Sequence, residues 1–156
     1  MRAAVFSDTH RNTRLMLEAV RRCQPDLVIH LGDHDEDAEE VRLEFPELPV
    51  YTVCGNCDYV TDAPETDLVP LGPVKAFITH GHLYNVKYLG PQRLAYAALE
   101  QGAQIAMFGH THCAMQEWMG EVLVLNPGTA GKGRDLSWAL VEVTDKGEIF
   151  CSLNEL

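Results

Sequence analysis

The sequence predicts an α/β fold. Short apolar runs of strand length recur along the chain, helix-period segments separate them, and each run stops abruptly at Gly, Asp, Asn or His. Beyond Cys113 the rhythm changes to strands separated by turns. Helix-linked strands therefore come first, and an antiparallel half closes the chain. The 156 residues fit one domain, 1–156, with volume for a packed core. No repeat, low-complexity tract or linker divides it.

Ala3 to Phe6 is a buried strand that breaks into Ser7-Asp8-Thr9-His10. On extended backbone, side chains two residues apart point the same way, so Asp8 and His10 would converge beyond the strand end. Asn12 to Gln24 reads as a helix, with Leu15, Leu17, Ala19 and Val20 apolar and Arg21 and Arg22 in its last turn. Leu27 to Leu31 is a second strand, ending in Gly32-Asp33. A helix follows from His34 to about Phe45, acidic at its N-terminal end. Val50 to Cys54 is a third strand, ending in Gly55-Asn56-Cys57-Asp58. A loop, Tyr59–Pro70, contains a short edge strand through Asp67-Leu68-Val69.

Val74 to Thr79 is a strand ending in His80-Gly81-His82. Pro91 to Gln101 is a helix, with Pro at its first position and Gly102 past its end. Gln104 to Phe108 is a strand ending in Gly109-His110-Thr111-His112. Strands at Ala114–Met119 and Glu121–Leu125 precede the Asn126-Pro127-Gly128 break, and Ser137–Val143 with Glu148–Leu153 form a closing hairpin.

Composition narrows the function classes. The formal net charge is −11, from 23 acidic and 12 basic residues, and no Lys/Arg cluster exceeds Arg21-Arg22. That excludes the basic patch on which nucleic-acid and anionic-membrane binding depend. Small phosphorylated molecules still fit, because bound divalent cations reverse the local sign. No apolar run has the length of a membrane span, and the N-terminus leads straight into strand-like sequence, which points to the cytoplasm. Five scattered cysteines, an odd number, read as reduced thiols.

Five strand ends carry candidate metal ligands: Asp8 and His10, Asp33, Asn56, His80, then His110 and His112. Sites in open α/β sheets form at the carboxyl ends of strands. Carboxylate, imidazole and amide oxygen together suit Mn²⁺, Fe²⁺, Co²⁺, Ni²⁺ or Zn²⁺. Seven ligands exceed what one ion with an open position can take. They suit two ions sharing a carboxylate, which at about 3.5–4 Å apart clamp the attacking and leaving oxygens of a displacement at phosphorus.

These motifs resemble the signature of the calcineurin-like metallophosphoesterases. The short length, the Gly-Asn-Cys-Asp form and the Asn126-Pro127-Gly128 segment are most similar to the small bacterial and archaeal phosphodiesterase branch, over residues 1 to about 131. The resemblance implies a two-sheet β-sandwich flanked by helices, in four layers αββα. It implies Asp8, His10 and His112 on one metal, Asn56, His80 and His110 on the other, and Asp33 bridging. Manganese leads the candidate ions, with Ni, Co, Fe or Zn as alternatives. A hydroxide between the ions would hydrolyse a small phosphoester in a single step, with Asn56 and His112 contacting the phosphate and Asp58 supporting a ligand from behind. Self-association as a homodimer or homotetramer is a further implication. The alternative comes from the same superfamily, whose retromer subunit is a protein-binding scaffold with weak or vestigial catalysis.

One position departs from that pattern. Many members carry His after the motif Asn, where it protonates the leaving group; here it is Cys57. A thiol is a poor replacement for an imidazole acid, which favours aryl esters or activated diesters. The remaining readings are structural. His82 lines the pocket, His30 and His34 are structural or solvated, and Cys54 and Cys57 end a strand rather than opening the helix of a redox motif. Trp118 and Trp138 belong to core or interface, and the acidic run Asp33 to Glu40, apart from Asp33, is a solvated helix face. Specificity belongs to the loops Tyr59–Pro70, Tyr84–Gly90 and Gly128–Leu136.

Overall fold

In the computed structural model, which describes all residues 1–156, the apolar runs become two five-stranded sheets. The first holds β1 (Arg2–Phe6), β2 (Leu27–His30) and β3 (Val50–Thr52), with β9 (Ser137–Val143) and β10 (Ile149–Glu155), in the order β10-β9-β1-β2-β3. The second holds β4 (Thr66–Leu71), β5 (Val74–Thr79), β6 (Ile105–Met107), β7 (Met115–Met119) and β8 (Val122–Asn126), in the order β4-β5-β6-β8-β7. Helices α1 (Arg14–Cys23) and α2 (Asp37–Glu44) belong to the first half of the chain. Helices α3 (Val86–Leu89) and α4 (Gln92–Glu100) belong to the second.

Alternation along each strand builds four layers. Ala3 and Val5 of β1 face a core shared by both sheets, where they meet Ile29, Leu31, Ile78, Ile105 and Met107. Ala4 and Phe6 face the other way, onto Met16, Ala19 and Val20 of α1 and Val41 of α2. In the second sheet Ala106 and Val124 turn outward onto Leu94, Ala95 and Ala98 of α4. Strands buried on both faces have no polar side to show, which is why they read as continuous apolar runs. The order is α–β–β–α, as the resemblance implied.

The antiparallel half does not stand apart, and here the expectation is corrected. β9 pairs antiparallel with β1 in the first sheet, whereas β8 pairs parallel with β6 in the second. Each sheet is mixed, because the C-terminal strands complete both rather than forming a third body. The edge strand is longer than expected, Thr66–Leu71, and admits Pro70 because β4 pairs only with β5. The expected loop Tyr84–Gly90 is instead a 3₁₀ turn, His82–Tyr84, followed by α3. A four-residue helix is too short to display a period. Trp138 is core, stacked on Phe6 at 5.5 Å, but Trp118 is half exposed.

Candidate metal centre

Strands β1, β2 and β3 run parallel, as do β5 and β6, and their carboxyl ends carry the predicted ligands on both sides of the seam between the sheets. Ligand atoms of Asp8, His10, Asp33 and His112 all lie within 4.8 Å of one another. His112 Nε2 stands 3.0 Å from Asp8 Oδ1, and His80 Nε2 stands 3.4 Å from Asp33 Oδ1. The His110 ring lies 5.1 Å from that of His80, centroid to centroid. Asn56 is exposed, and its amide Nδ2 donates to Cys57 Sγ at 3.4 Å.

Convergence is not achieved by extended backbone, contrary to expectation. Asp8, His10, Asp33, His110 and His112 all have left-handed φ, between 46° and 66°. Such a conformation costs about 1–2 kcal/mol per non-glycine residue, so the surroundings must enforce it. Close packing beneath the loops does so. A Cβ on Gly109 would run into Ser7 Oγ and lie 2.8 Å from Asp8 Oδ2, and a Cβ on Gly32 would lie 2.6 Å from the Gly55 nitrogen. Only glycine lets the ligand loops touch.

The chemistry of this donor set fits divalent ions. Asp8 and His80 are fully buried and Asp33 is 3% exposed. Burying two carboxylates without a cation is costly. Asp8 Oδ1, His10 Nε2 and His80 Nε2 are buried and have no hydrogen-bond partner; the close approaches to His112 and Asp33 lack hydrogen-bond geometry. His80 Nδ1 donates to the Leu31 carbonyl at 2.7 Å, leaving Nε2 free toward Asp33, the arrangement found behind metal-binding histidines.

Titration behaviour agrees. Burial pushes His10, His110 and His82 below the ordinary imidazole value, favouring the neutral form that ligates. Burial would raise Asp8, but His112, His80 and Ser7 more than offset it and hold the carboxyl low. The Asp8 carboxylate in turn raises His112.

A ring of polar groups that touch no ligand atom of the cluster holds the loops. Asp58 accepts four backbone N–H bonds, from Asp33 (3.0 Å), His34 (2.7 Å), Asp35 (3.3 Å) and Gly55 (2.7 Å). Those amides outweigh its burial and keep its carboxyl below the usual range. Thr9 Oγ1 donates to Asp37 Oδ2 at 2.6 Å, so His30 Nε2 must donate to Thr9 at 3.0 Å, while His30 Nδ1 accepts from Gly32 N–H at 3.3 Å. His30 thus ties together the loops bearing Asp8 and Asp33. Asn126, fully buried, donates to the Gly109 carbonyl at 2.8 Å and to Thr111 Oγ1 at 3.0 Å.

The acidic run needs correction at one position. Asp37 is 6% exposed and accepts from Thr9 and from the Arg11 amide, so it is not a solvated helix residue. Sequence reasoning also missed the supporting roles of Thr9 and Asn126. An Asn before Pro-Gly is a turn signal, and nothing local says which loop its amide reaches. Cys57 lies against the site: its N–H donates to Asp33 Oδ1 at 2.9 Å, and burial with the neighbouring Asp33 pushes its thiol up to about 11. All five cysteines are free. His82 packs beside His80 with its Nδ1 buried and unpartnered, and His34 packs edge-on to His10 at 5.5 Å.

Comparison with known proteins gives the chain its family. A family model of the calcineurin-like phosphoesterase superfamily domain matches residues 1–146. The probable metallophosphoesterase YsnB of Bacillus subtilis is 34% identical over 131 residues, covering 83% of this chain and 75% of its own. The phosphodiesterase MJ0936 of Methanocaldococcus jannaschii is 28% identical over 145 residues, covering 82% of this chain and 83% of its own. The crystal structure of a single mutant of Vps29 from Entamoeba histolytica superposes with a TM-score of 0.77 at 21% identity, over 100% of this chain and 99% of that one, a likeness of fold. The family match, the YsnB identity and the converging ligand set agree: the chain belongs to the calcineurin-like phosphoesterase superfamily.

Proposed function

We propose that residues 1–156 act as one catalytic domain, a phosphodiesterase that works through two divalent ions on small phosphodiesters. The supporting observation is the set of buried, unpartnered atoms Asp8 Oδ1, His10 Nε2 and His80 Nε2, gathered with Asp33 and His112. Asp8, His10 and His112 hold one ion, Asn56, His80 and His110 the other, and Asp33 serves both. Bound there, the ions supply Lewis acidity and an acidified water, with manganese the first candidate. Asn56 and His112 orient the substrate phosphate, and Asp58 fixes the loop carrying Asp33 through its four amides. Cys57 offers no imidazole proton, so the preferred esters have leaving groups that depart unprotonated. The phosphodiesterase name of the M. jannaschii relative supports diesters over monoesters. Five free thiols support a cytoplasmic setting. The scaffold reading rests on the Vps29 likeness, which at 21% identity carries the fold and no more.

The test is hydrolysis of bis-p-nitrophenyl phosphate and p-nitrophenyl phosphate by metal-stripped protein, with Mn²⁺, Ni²⁺, Co²⁺, Zn²⁺ or Mg²⁺ restored in turn. Turnover should return with metal, favour the diester, and fall at least about a hundredfold in Asp33→Asn, on the scale of losing one transition-state contact. Protein shown to carry two metals yet inert toward both esters would move the assignment to the scaffold.

A further inference from the structure

A cleft of about 430 Å³ opens beside the metal centre, lined by His112, Ala114, Arg134, Asp135, Leu136 and Glu155 among others. Its walls are residues 112–114, the stretch 134–137, and Glu155 with Leu156. The 129–136 loop is closed by a bridge between Thr129 and Leu136, and Leu156 N–H donates to the Leu136 carbonyl at 3.0 Å. His112 joins cleft and centre, since its Nε2 stands 3.0 Å from Asp8 Oδ1 while the same residue lines the cleft. Accepting the phosphodiesterase reading, a phosphorus atom at the centre has this cleft within reach of one ester arm.

We propose that the cleft seats that arm, and that the arm is a neutral, hydroxyl-rich aliphatic group such as a glycerol or sugar residue. The lining decides the chemistry. Apart from His112 itself no aromatic ring faces the cleft, so a nucleobase finds no platform to stack on. An arm bearing a second phosphate meets Asp135 and Glu155 in a chain of net charge −11. A quaternary ammonium arm meets Arg134 and no aromatic cage. Hydroxyl groups satisfy both signs at once, donating to the carboxylates and accepting from the guanidinium. Arg134, Asp135 and Glu155 stand outside every ion pair of the fold and are available for this. The volume suits a small polyol or one hexose.

Two measurements on the metal-loaded full chain test the proposal. The first compares KM for the glyceryl, ethyl and thymidine esters of p-nitrophenyl phosphate, which share one leaving group. The glyceryl ester should show a KM about tenfold below the ethyl ester, the effect of one or two charge-assisted hydrogen bonds. That ratio should fall to within about twofold of one in Arg134→Ala and in Asp135→Ala. The second is calorimetric binding of bis-glyceryl phosphate against diethyl phosphate, which needs no turnover and should show the same preference and the same loss. Equal binding of the two, a preference that survives both substitutions, or a lower KM for the thymidine ester would overturn the proposal. Absence of hydrolysis of all three esters, with the calorimetric preference intact, would instead sink the phosphodiesterase reading and leave the cleft assignment standing.

Discussion

At Cys57 the chain parts from many members of its family, and the consequence is local. Its thiol, held up at about 11 by burial and then by Asp33, is protonated at neutral pH and too weak an acid to assist a departing alkoxide. Cys57→His should therefore raise kcat for an alkyl phosphodiester about tenfold or more while changing an aryl ester much less. An equal change for both classes would mean that protonation of the leaving group is not what the cysteine withholds. A second residue, His30, links the site to pH. It faces Thr9 and Asp37, with Asp8, Asp58 and His80 nearby, and burial lowers it to about 4 despite the three carboxylates. Between the ordinary value of about 6.5 and about 4, the unfolded chain takes up a proton that the folded one refuses. Its contribution is thus intact above pH 6.5 and declines as pH falls, by about 3 kcal/mol at pH 4. Urea unfolding of metal-free protein at pH 7 and pH 4.5 should show a smaller difference in His30→Asn than in the wild type. Identical pH dependence in the two would remove His30 from that role.

Among the elements, the strands whose ends bear ligands were the legible part. β1, β2, β3, β5 and β6 are short and largely apolar, and each gives way to polar residues within a few positions of its end. The motif positions could be read before any geometry was known. Two things could not. β8 would show the same apolar residues beside either sheet, and its parallel pairing with β6 is decided by packing across more than a dozen intervening residues. The loops beyond the strands were read as straight continuations, but their direction is set by left-handed residues and by groups distant in sequence, such as Asp58 and Asn126. Asp58 offers the clearest test of this scale. Replacing it with Ala frees four loop amides, that of Asp33 among them, while removing no side chain assigned to a metal. Manganese affinity by calorimetry should fall about 10–100-fold, as for other groups that hold ligands in place. Unchanged affinity would show that the loop keeps its form without the carboxylate.

For the whole molecule, the ligand assignment has a mechanical consequence. Asp8, His10, Asp33 and Asn56 follow strands of the first sheet, whereas His80, His110 and His112 follow strands of the second. On the proposed assignment each ion would take ligands from both sheets, and at their carboxyl ends it would join layers that are otherwise held by the shared apolar core. The metal-free protein keeps Asp8 and Asp33 buried and close to each other, a repulsion that unfolding relieves and a cation would remove. Binding should thus stabilise the folded chain by mass action, by about 2.7 kcal/mol per site at a hundred times Kd. For a protein of this size each kcal/mol raises Tm by about 2–4 °C, so saturating Mn²⁺ should lift Tm by roughly 5–10 °C per occupied site and EDTA should reverse it. Asp33→Asn, which weakens both assigned sites, should lose most of that metal response and, with one buried charge gone, should melt no lower than wild type in EDTA. A Tm indifferent to metal in the wild type would mean that the ions do not join the sheets. A full response retained in Asp33→Asn would mean that they bind without the shared carboxylate.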